Sequence, residues 1–149
     1  MKKYRCPLIL VLTVLAVLML VLLLRPRRLS DVLSDRGREI SFCKVLILSG
    51  SPEIGEMTCS PEQIQALEEA LPQTWVRWIS PWTGGFRAYD EYAYHLVVAA
   101  KDTSYSMILS DRDELVCGQA VYRTCFGDGL FRLIQGWTSV QEQTACFYG

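Results

Sequence analysis

The stretch that decides the fold is residues 88–110, AYDEYAYHLVVAAKDTSYSMILS, in which large apolar side chains recur at every second position. Its last part, SYSMILS, alternates most clearly between serine and large apolar residues. Such alternation is typical of β-strands that bury one face. The polar residues KDTS, at 101–104, predict a turn between two such runs. Residues 88–100 and 104–110 therefore predict two neighbouring antiparallel strands.

The parity of these two strands predicts which side chains form the core, because successive side chains point to opposite faces. One face of the first strand carries tyrosines followed by aliphatic residues and is predicted to be buried: Tyr92, Tyr94, Leu96 and Val98. The buried face of the second strand is predicted to carry Tyr105, Met107 and Leu109. A further strand at 40–48 has apolar residues on both faces, so it is predicted to be central and covered on both sides.

The clearest helix signal is SPEQIQALEEAL, residues 60–71. Ser60 is a typical N-cap, Pro61 suits the first helical position, and Gln63 stands where it can close a capping box. Pro72 follows the last apolar residue of the stripe and predicts the end of the helix.

Two other helices are predicted near the ends of the folded region. Ser30 predicts the N-cap of a short helical turn that ends near Gly37, and Asp128 predicts the start of a C-terminal helix. Three more strands are predicted at 56–59, 75–79 and 115–125. This order of elements predicts an α+β fold, in which a small domain has a mostly antiparallel sheet, a meander, covered by two or three helices.

Residues 6–24, CPLILVLTVLAVLMLVLLL, are nineteen residues without a charge. As a helix they would be about 28 Å long, close to the ~30 Å of a bilayer's hydrocarbon core. A cleaved signal peptide is the alternative, but the run ends in RPRR and lacks the small residues of a cleavage site. The sequence therefore predicts a single N-terminal transmembrane helix, with residues 1–28 as a membrane anchor and 29–149 as the folded domain.

Charge is divided unevenly between these two parts. The anchor has six of the fifteen cations and no acids, and these cations are predicted to contact lipid headgroups: Lys2, Lys3, Arg5, Arg25, Arg27 and Arg28. The domain has the other nine cations and all sixteen acids, a net charge of −7, which argues against nucleic acid as a partner.

A cytoplasmic N-terminus is favoured, because exporting a short tail with three cations is unusual. This orientation predicts a single-pass protein of a bacterial cell membrane with an extracytoplasmic domain. The expected partners are the membrane lipid bilayer and a protein of the membrane or envelope.

Three aromatic residues interrupt the sheet pattern. Trp82 and Phe86 flank the glycine pair of PWTGGF, in a predicted turn, and Tyr89 follows on the less apolar face of the next strand. Most rings between residues 75 and 95 are explained as sheet interior, because strands ordinarily contain aromatic side chains. Trp82, Phe86 and Tyr89 are instead predicted to bind a ligand or partner by stacking.

Few residues offer catalytic chemistry. His95 is the only histidine, so a site with several histidine ligands is excluded. Among the five cysteines of the domain, only Cys59 lies near a predicted helix N-terminus, where the pKa of a thiol is lowered. No C-x-x-C pair, phosphate-binding loop or complete calcium loop occurs. The sequence predicts no catalytic residues, no metal and no cofactor, and hence a protein that is not an enzyme.

Residues 40–71, ISFCKVLILSGSPEIGEMTCSPEQIQALEEAL, combine a strand hairpin with a capped helix of the type T-x-[SD]-P-x-x-I-x-x-L. The matching positions are Thr58, Ser60, Pro61, Ile64 and Leu67. This stretch resembles small membrane-anchored or lipoprotein-like extracytoplasmic domains of unknown function from Firmicutes. The resemblance implies an extracytoplasmic, non-enzymatic domain and carries over no catalytic residues.

The leading functional hypothesis is a single-pass membrane-anchored protein with a small non-enzymatic extracytoplasmic domain for binding or regulation. The alternative is an accessory subunit of a membrane complex that acts through its transmembrane span. A third hypothesis is a cell-envelope enzyme that uses a Cys/His pair, Cys59 and His95.

Overall fold

The computed structural model describes residues 5–34, 39–49, 55–83, 92–101 and 103–147. The strands are β1 (Arg27–Arg28), β2 (Ile40–Ser49), β3 (Gly55–Thr58), β4 (Trp75–Pro81), β5 (Tyr92–Ala100), β6 (Thr103–Ser110), β7 (Glu114–Cys117) and β8 (Ala120–Cys125). The helices are α1 (Arg5–Leu24), α2 (Leu29–Val32), α3 (Pro61–Ala70) and α4 (Gly129–Phe147), with a 3₁₀ turn at Leu71–Gln73. All eight strands form one antiparallel sheet in the order β1-β4-β8-β7-β6-β5-β2-β3.

Strands β5 to β8 form a meander, in which each strand pairs with the next one along the chain. The pairing of β5 with β6 confirms the predicted neighbouring strands of residues 88–110 over their described part. The prediction of one long strand over residues 115–125 is wrong, because the chain reverses at Gly118 and forms β7 and β8. Gly118 has φ of 61°, a left-handed conformation that glycine adopts readily in hairpin turns.

Helix α3 confirms its predicted cap. The Ser60 hydroxyl accepts a hydrogen bond from the Gln63 backbone N–H at 3.3 Å, and the Gln63 side chain accepts one from the Ser60 N–H at 2.8 Å. The helix also holds the start of β2, because the Glu68 carboxylate accepts a hydrogen bond from the Ile40 N–H at 2.6 Å. A locally encoded helix is thereby fastened to the sheet.

Of the other two predicted helices, α2 starts at a different residue from the prediction, whereas α4 starts where it was predicted. Helix α2 starts at Leu29 with Arg28 in the cap position and no side-chain cap, so Ser30 is not the N-cap. Ser30 lies inside the helix, because the chain enters the helix from β1 two residues earlier than expected. Helix α4 starts directly after Asp128, as predicted, and continues to Phe147.

The core lies between the helices and one face of the sheet. On the central strands the buried residues are Val45, Tyr94, Leu96, Val98, Met107 and Leu109, and the helices add Leu67, Leu130 and Ile134. Full burial of each large aliphatic side chain contributes about 1.5–3 kcal/mol relative to exposure. The predicted parity of β5 and β6 is therefore confirmed for the side chains that the structure describes.

The opposite face of the sheet is only partly covered. Phe42 on β2 and Val97 on β5 lie there, 42% and 36% exposed. The prediction that the strand at 40–48 is covered on both sides is therefore wrong. Its apolar residues on the second face remain in partial contact with water.

Helix α1 corrects the membrane prediction. Its described side chains at 9–22 are exposed and apolar except for Thr13, whose hydroxyl donates a hydrogen bond to the Ile9 carbonyl at 2.8 Å. Among the residues that the structure describes, no helix is long and apolar enough to cross a membrane.

Several predictions about the N-terminal region are therefore wrong. One is the transmembrane helix at 6–24, with which the predicted fold class began. The others are the single-pass signal anchor and the cell-membrane location with an extracytoplasmic domain.

Candidate functional site

A gap in the sheet lies beside the first half of β6. Strand β6 has eight residues and β7 has four, so β7 pairs only with Met107–Leu109. Residues 103–106 pair with β5 on one side, and within the described chain no strand pairs with them on the other. We call this gap the notch. Because backbone groups of alternate residues point to opposite sides of a strand, part of the β6 backbone faces the notch.

A cavity of about 660 Å³ lies at the notch. The residues that matter for its chemistry are Trp82, His95, Ser104, Tyr105, Ser106 and Cys117. Tyr105 lies on the core face of the sheet and His95 on the opposite face, since Val98 is the partner of Tyr105 and Ile108 the partner of His95. The cavity therefore reaches both faces of the sheet through the notch.

Trp82 is positioned by its backbone. It follows the last pair of the β4–β8 ladder, Pro81 with Ala120, and its N–H donates a hydrogen bond to the Gln119 carbonyl at 2.8 Å. Its side chain is 39% exposed. A large flat ring is thus held at the rim of the cavity without being part of the core.

Tyr105 lines the cavity and carries a polar group that has no partner among the described residues. Its hydroxyl oxygen is buried and has no hydrogen-bond partner among the described residues. Burial raises the pKa of Tyr105, and the nearby Cys43, Cys117 and Glu68 raise it further, so the phenol stays protonated at neutral pH. A buried hydroxyl without a partner costs about 1–3 kcal/mol. A ligand that bonded to this hydroxyl would remove that cost.

His95 is a neutral polar group on the other side of the cavity. It is half-buried, and burial lowers its pKa, so the imidazole is uncharged at pH 7. A neutral imidazole has one nitrogen that donates and one that accepts a hydrogen bond. With His95 neutral, none of the twelve described residues that line the cavity carries a formal charge.

The structure describes only one of the three predicted binding residues. Trp82 borders the cavity, together with His95, which the sequence had singled out for other reasons. Phe86 and Tyr89 lie outside the described residues. Sequence reasoning assigned Tyr105 to the core and missed its free hydroxyl, because the gap beside it depends on where β7 ends. The binding role of these residues stays a prediction.

The basic residues of the N-terminal region lie in different structural environments. Lys2 and Lys3 lie outside the described residues, and Arg5 starts α1. Arg27 donates a hydrogen bond to the Leu22 carbonyl at 3.3 Å and, with Arg25, borders a second cavity of about 390 Å³. Headgroup contact by these residues stays a prediction.

Arg28 lies in a different environment from the other basic residues. Its guanidinium lies over the Trp75 ring, 5.5 Å from the ring centre. The Trp75 ring in turn meets Phe126 edge-on, with ring centres 6.4 Å apart. Arg28 is therefore engaged by aromatic side chains of the domain itself.

The cysteines form a different pair from the one considered for catalysis. Cys59 lies on the same face as Cys43, opposite to the face of His95, so Cys59 and His95 do not form a catalytic pair. A hydrogen bond with the Cys43 thiol lowers the pKa of Cys59 against the opposing effect of burial, and the same bond raises the pKa of Cys43. Within the described part of the chain, no group of three or more His, Cys, Asp or Glu residues could hold a metal.

Comparison with protein families, with curated proteins and with solved structures finds no match to this chain. The resemblance to extracytoplasmic domains of Firmicutes therefore stays a prediction.

Proposed function

We propose that this domain is a non-enzymatic binding module that takes up a small, flat, uncharged molecule in the cavity at the notch. The observation that carries the proposal is Tyr105, which lines the cavity together with the exposed Trp82 ring and whose buried hydroxyl has no partner among the described residues. Stability alone would favour phenylalanine at such a position, because an unpaired buried hydroxyl is costly.

The size and chemistry of the cavity support a small ligand. Its volume of about 660 Å³ falls in the range of ~300–1,000 Å³ that is typical of small-molecule sites. Apolar walls with a few convergent polar groups are also typical of such sites. Here the polar groups are Tyr105, His95 and the serines of β6.

The uncharged residues of the cavity wall favour an uncharged ligand. No cation or anion is among the described residues that line the cavity, so a charged ligand would lose hydration without gaining an ionic partner from them. A flat neutral ring can stack on Trp82 while one polar atom bonds to the Tyr105 hydroxyl. Binding then needs no proton transfer, which is consistent with a non-enzymatic role.

The test uses indole, a neutral planar probe with one N–H donor, in saturation-transfer NMR with the full chain. We expect saturation transfer to indole, and an affinity at least tenfold weaker in Trp82→Ala. Trp75→Ala is the matched control, because Trp75 contacts Arg28 and Phe126 away from this cavity.

Three results would contradict the proposal. The first is equal binding of indole and related neutral aromatic fragments to both tryptophan variants, and the second is no binding to the unaltered protein. The third is a fall of several degrees in the melting temperature of Trp82→Ala, which would show that Trp82 is a core residue.

A further inference from the structure

Cys43 and Cys59 face each other across two strands. The β2–β3 ladder pairs Lys44 with Thr58, and one step further it brings Cys43 opposite Cys59. The Cys59 N–H donates a hydrogen bond to the Cys43 carbonyl at 2.9 Å, which continues the ladder. Hydrogen-bonded antiparallel partners have Cα atoms about 5.5 Å apart. This separation matches the ~5.5–6 Å that is commonest for disulfide-bonded cysteines.

The two thiols also interact and differ in access to solvent. Each thiol shifts the pKa of the other, so the two side chains lie close together. Cys43 is fully buried on a central strand, whereas Cys59 is 8% exposed, directly after the edge strand β3. A small solute therefore reaches Cys59 first, with Cys43 already aligned behind it.

We propose that Cys43 and Cys59 are a site of reversible oxidation, at which hydrogen peroxide converts the two thiols into a disulfide between β2 and β3. The site lies at the β2–β3 edge of the sheet, and this proposal is separate from that of ligand binding at the notch.

The chemistry balances in two steps. The Cys59 thiolate attacks one peroxide oxygen, the O–O bond breaks, and a sulfenic acid forms while the other oxygen leaves as water after taking up a proton. The Cys43 sulfur then loses its proton, attacks the Cys59 sulfur and displaces the second oxygen as water. The two sulfurs lose two electrons in total, and the peroxide gains them.

The other described cysteines cannot replace either partner. Cys117 lies on β7, three strands from β2, and Cys125 lies on β8, four strands away. At ~4.8 Å per strand, Cys117 is about 14 Å from Cys43. Two cysteines with Cα atoms more than ~7 Å apart cannot be bridged without backbone movement.

The test treats the full chain with hydrogen peroxide, blocks remaining thiols under denaturing conditions, and maps tryptic peptides without reduction. We expect peptide 39–44, which contains Cys43, linked to peptide 45–77, which contains Cys59. Dithiothreitol should separate them, and the oxidised protein should melt several degrees higher because the unfolded chain is constrained.

Three cysteine variants test which thiols form the disulfide. Cys43→Ser should leave a Cys59 sulfenic acid that dimedone traps, and Cys59→Ser should abolish the linked peptides, whereas Cys125→Ser should leave them unchanged. Circular dichroism checks that each variant is folded. Unreacted Cys43 and Cys59 in the folded unaltered protein, or a linkage that involves another cysteine in their place, would overturn the proposal.

Discussion

Two regions of the sheet differ in how completely their polar groups are satisfied. At the β2–β3 end, Ser60 caps α3, Glu68 binds the Ile40 N–H, and the cysteine pair extends the ladder. At the notch, half of β6 has no strand neighbour on one side, and the Tyr105 hydroxyl is buried without a partner in the described chain. The first region stabilises the fold, whereas the second keeps a buried hydroxyl that costs stability.

The largest expected effect lies in the packed region. Leu67→Ala removes a fully buried side chain of α3 and should lower the free energy of unfolding by about 2–5 kcal/mol. Trp82→Ala, at the notch, should change it by less than about 1 kcal/mol, because exposed positions have small effects. Denaturant unfolding followed by circular dichroism measures both, and similar losses would remove the distinction between the two regions.

A change of opposite sign is expected at Tyr105. Tyr105→Phe removes the unpaired hydroxyl and should raise the free energy of unfolding by about 1 kcal/mol, the lower end of the cost of such a group. The same variant should bind indole more weakly. Tyr122→Phe, which alters another tyrosine of the cavity wall, serves as the control. Loss of stability in Tyr105→Phe would mean that the hydroxyl already has a partner.

The cap of α3 should show a smaller loss. Ser60→Ala removes the oxygen that accepts the Gln63 N–H and should cost about 1 kcal/mol of unfolding free energy. Ser104→Ala at the notch is the matched control and should be close to neutral, because Ser104 is exposed. Equal effects of the two serine changes would show that the cap contributes no more than an exposed side chain.

The smallest effect is the pH dependence that His95 introduces. Burial holds the folded pKa of His95 below its unfolded value of ~6.5, so the unfolded chain binds the proton more readily. Stability should be complete above about pH 6.5 and fall as the pH drops below it. His95 is the only histidine, so His95→Gln should flatten the stability profile between pH 5.5 and 7.5. An unchanged slope in that variant would assign the effect to other groups.

Local features of the sequence predicted the elements that depend on nearby residues. The α3 cap uses atoms three residues apart, and the parity of β5 and β6 follows from the period-two pattern. The reversal at Gly118 was missed, because VCGQAV continues the apolar run and carries no Asn-Gly or Asp-Gly turn signal. The membrane prediction rested on composition over 6–24 and is overturned for the described residues.

The candidate site depended on long-range pairing and could not be predicted in full. Trp82 was singled out, because a ring in a glycine-rich turn is not automatically buried. Its neighbours in the cavity were not, since β4 reaches β8 across more than 30 residues of chain and the notch exists only because β7 ends at Cys117. The Cys43–Cys59 pair likewise follows from the β2–β3 register.

The sequence alone determined the helix at 60–71, the two strands of 88–110 over their described part and the side of each that is buried. Capping, turn chemistry and side-chain alternation act between residues that are close along the chain. Only the tertiary structure decided which strands are neighbours, where the notch opens and which cysteines meet. Cross-strand hydrogen bonds join residues that are distant in sequence, and their register is set by the whole sheet at once.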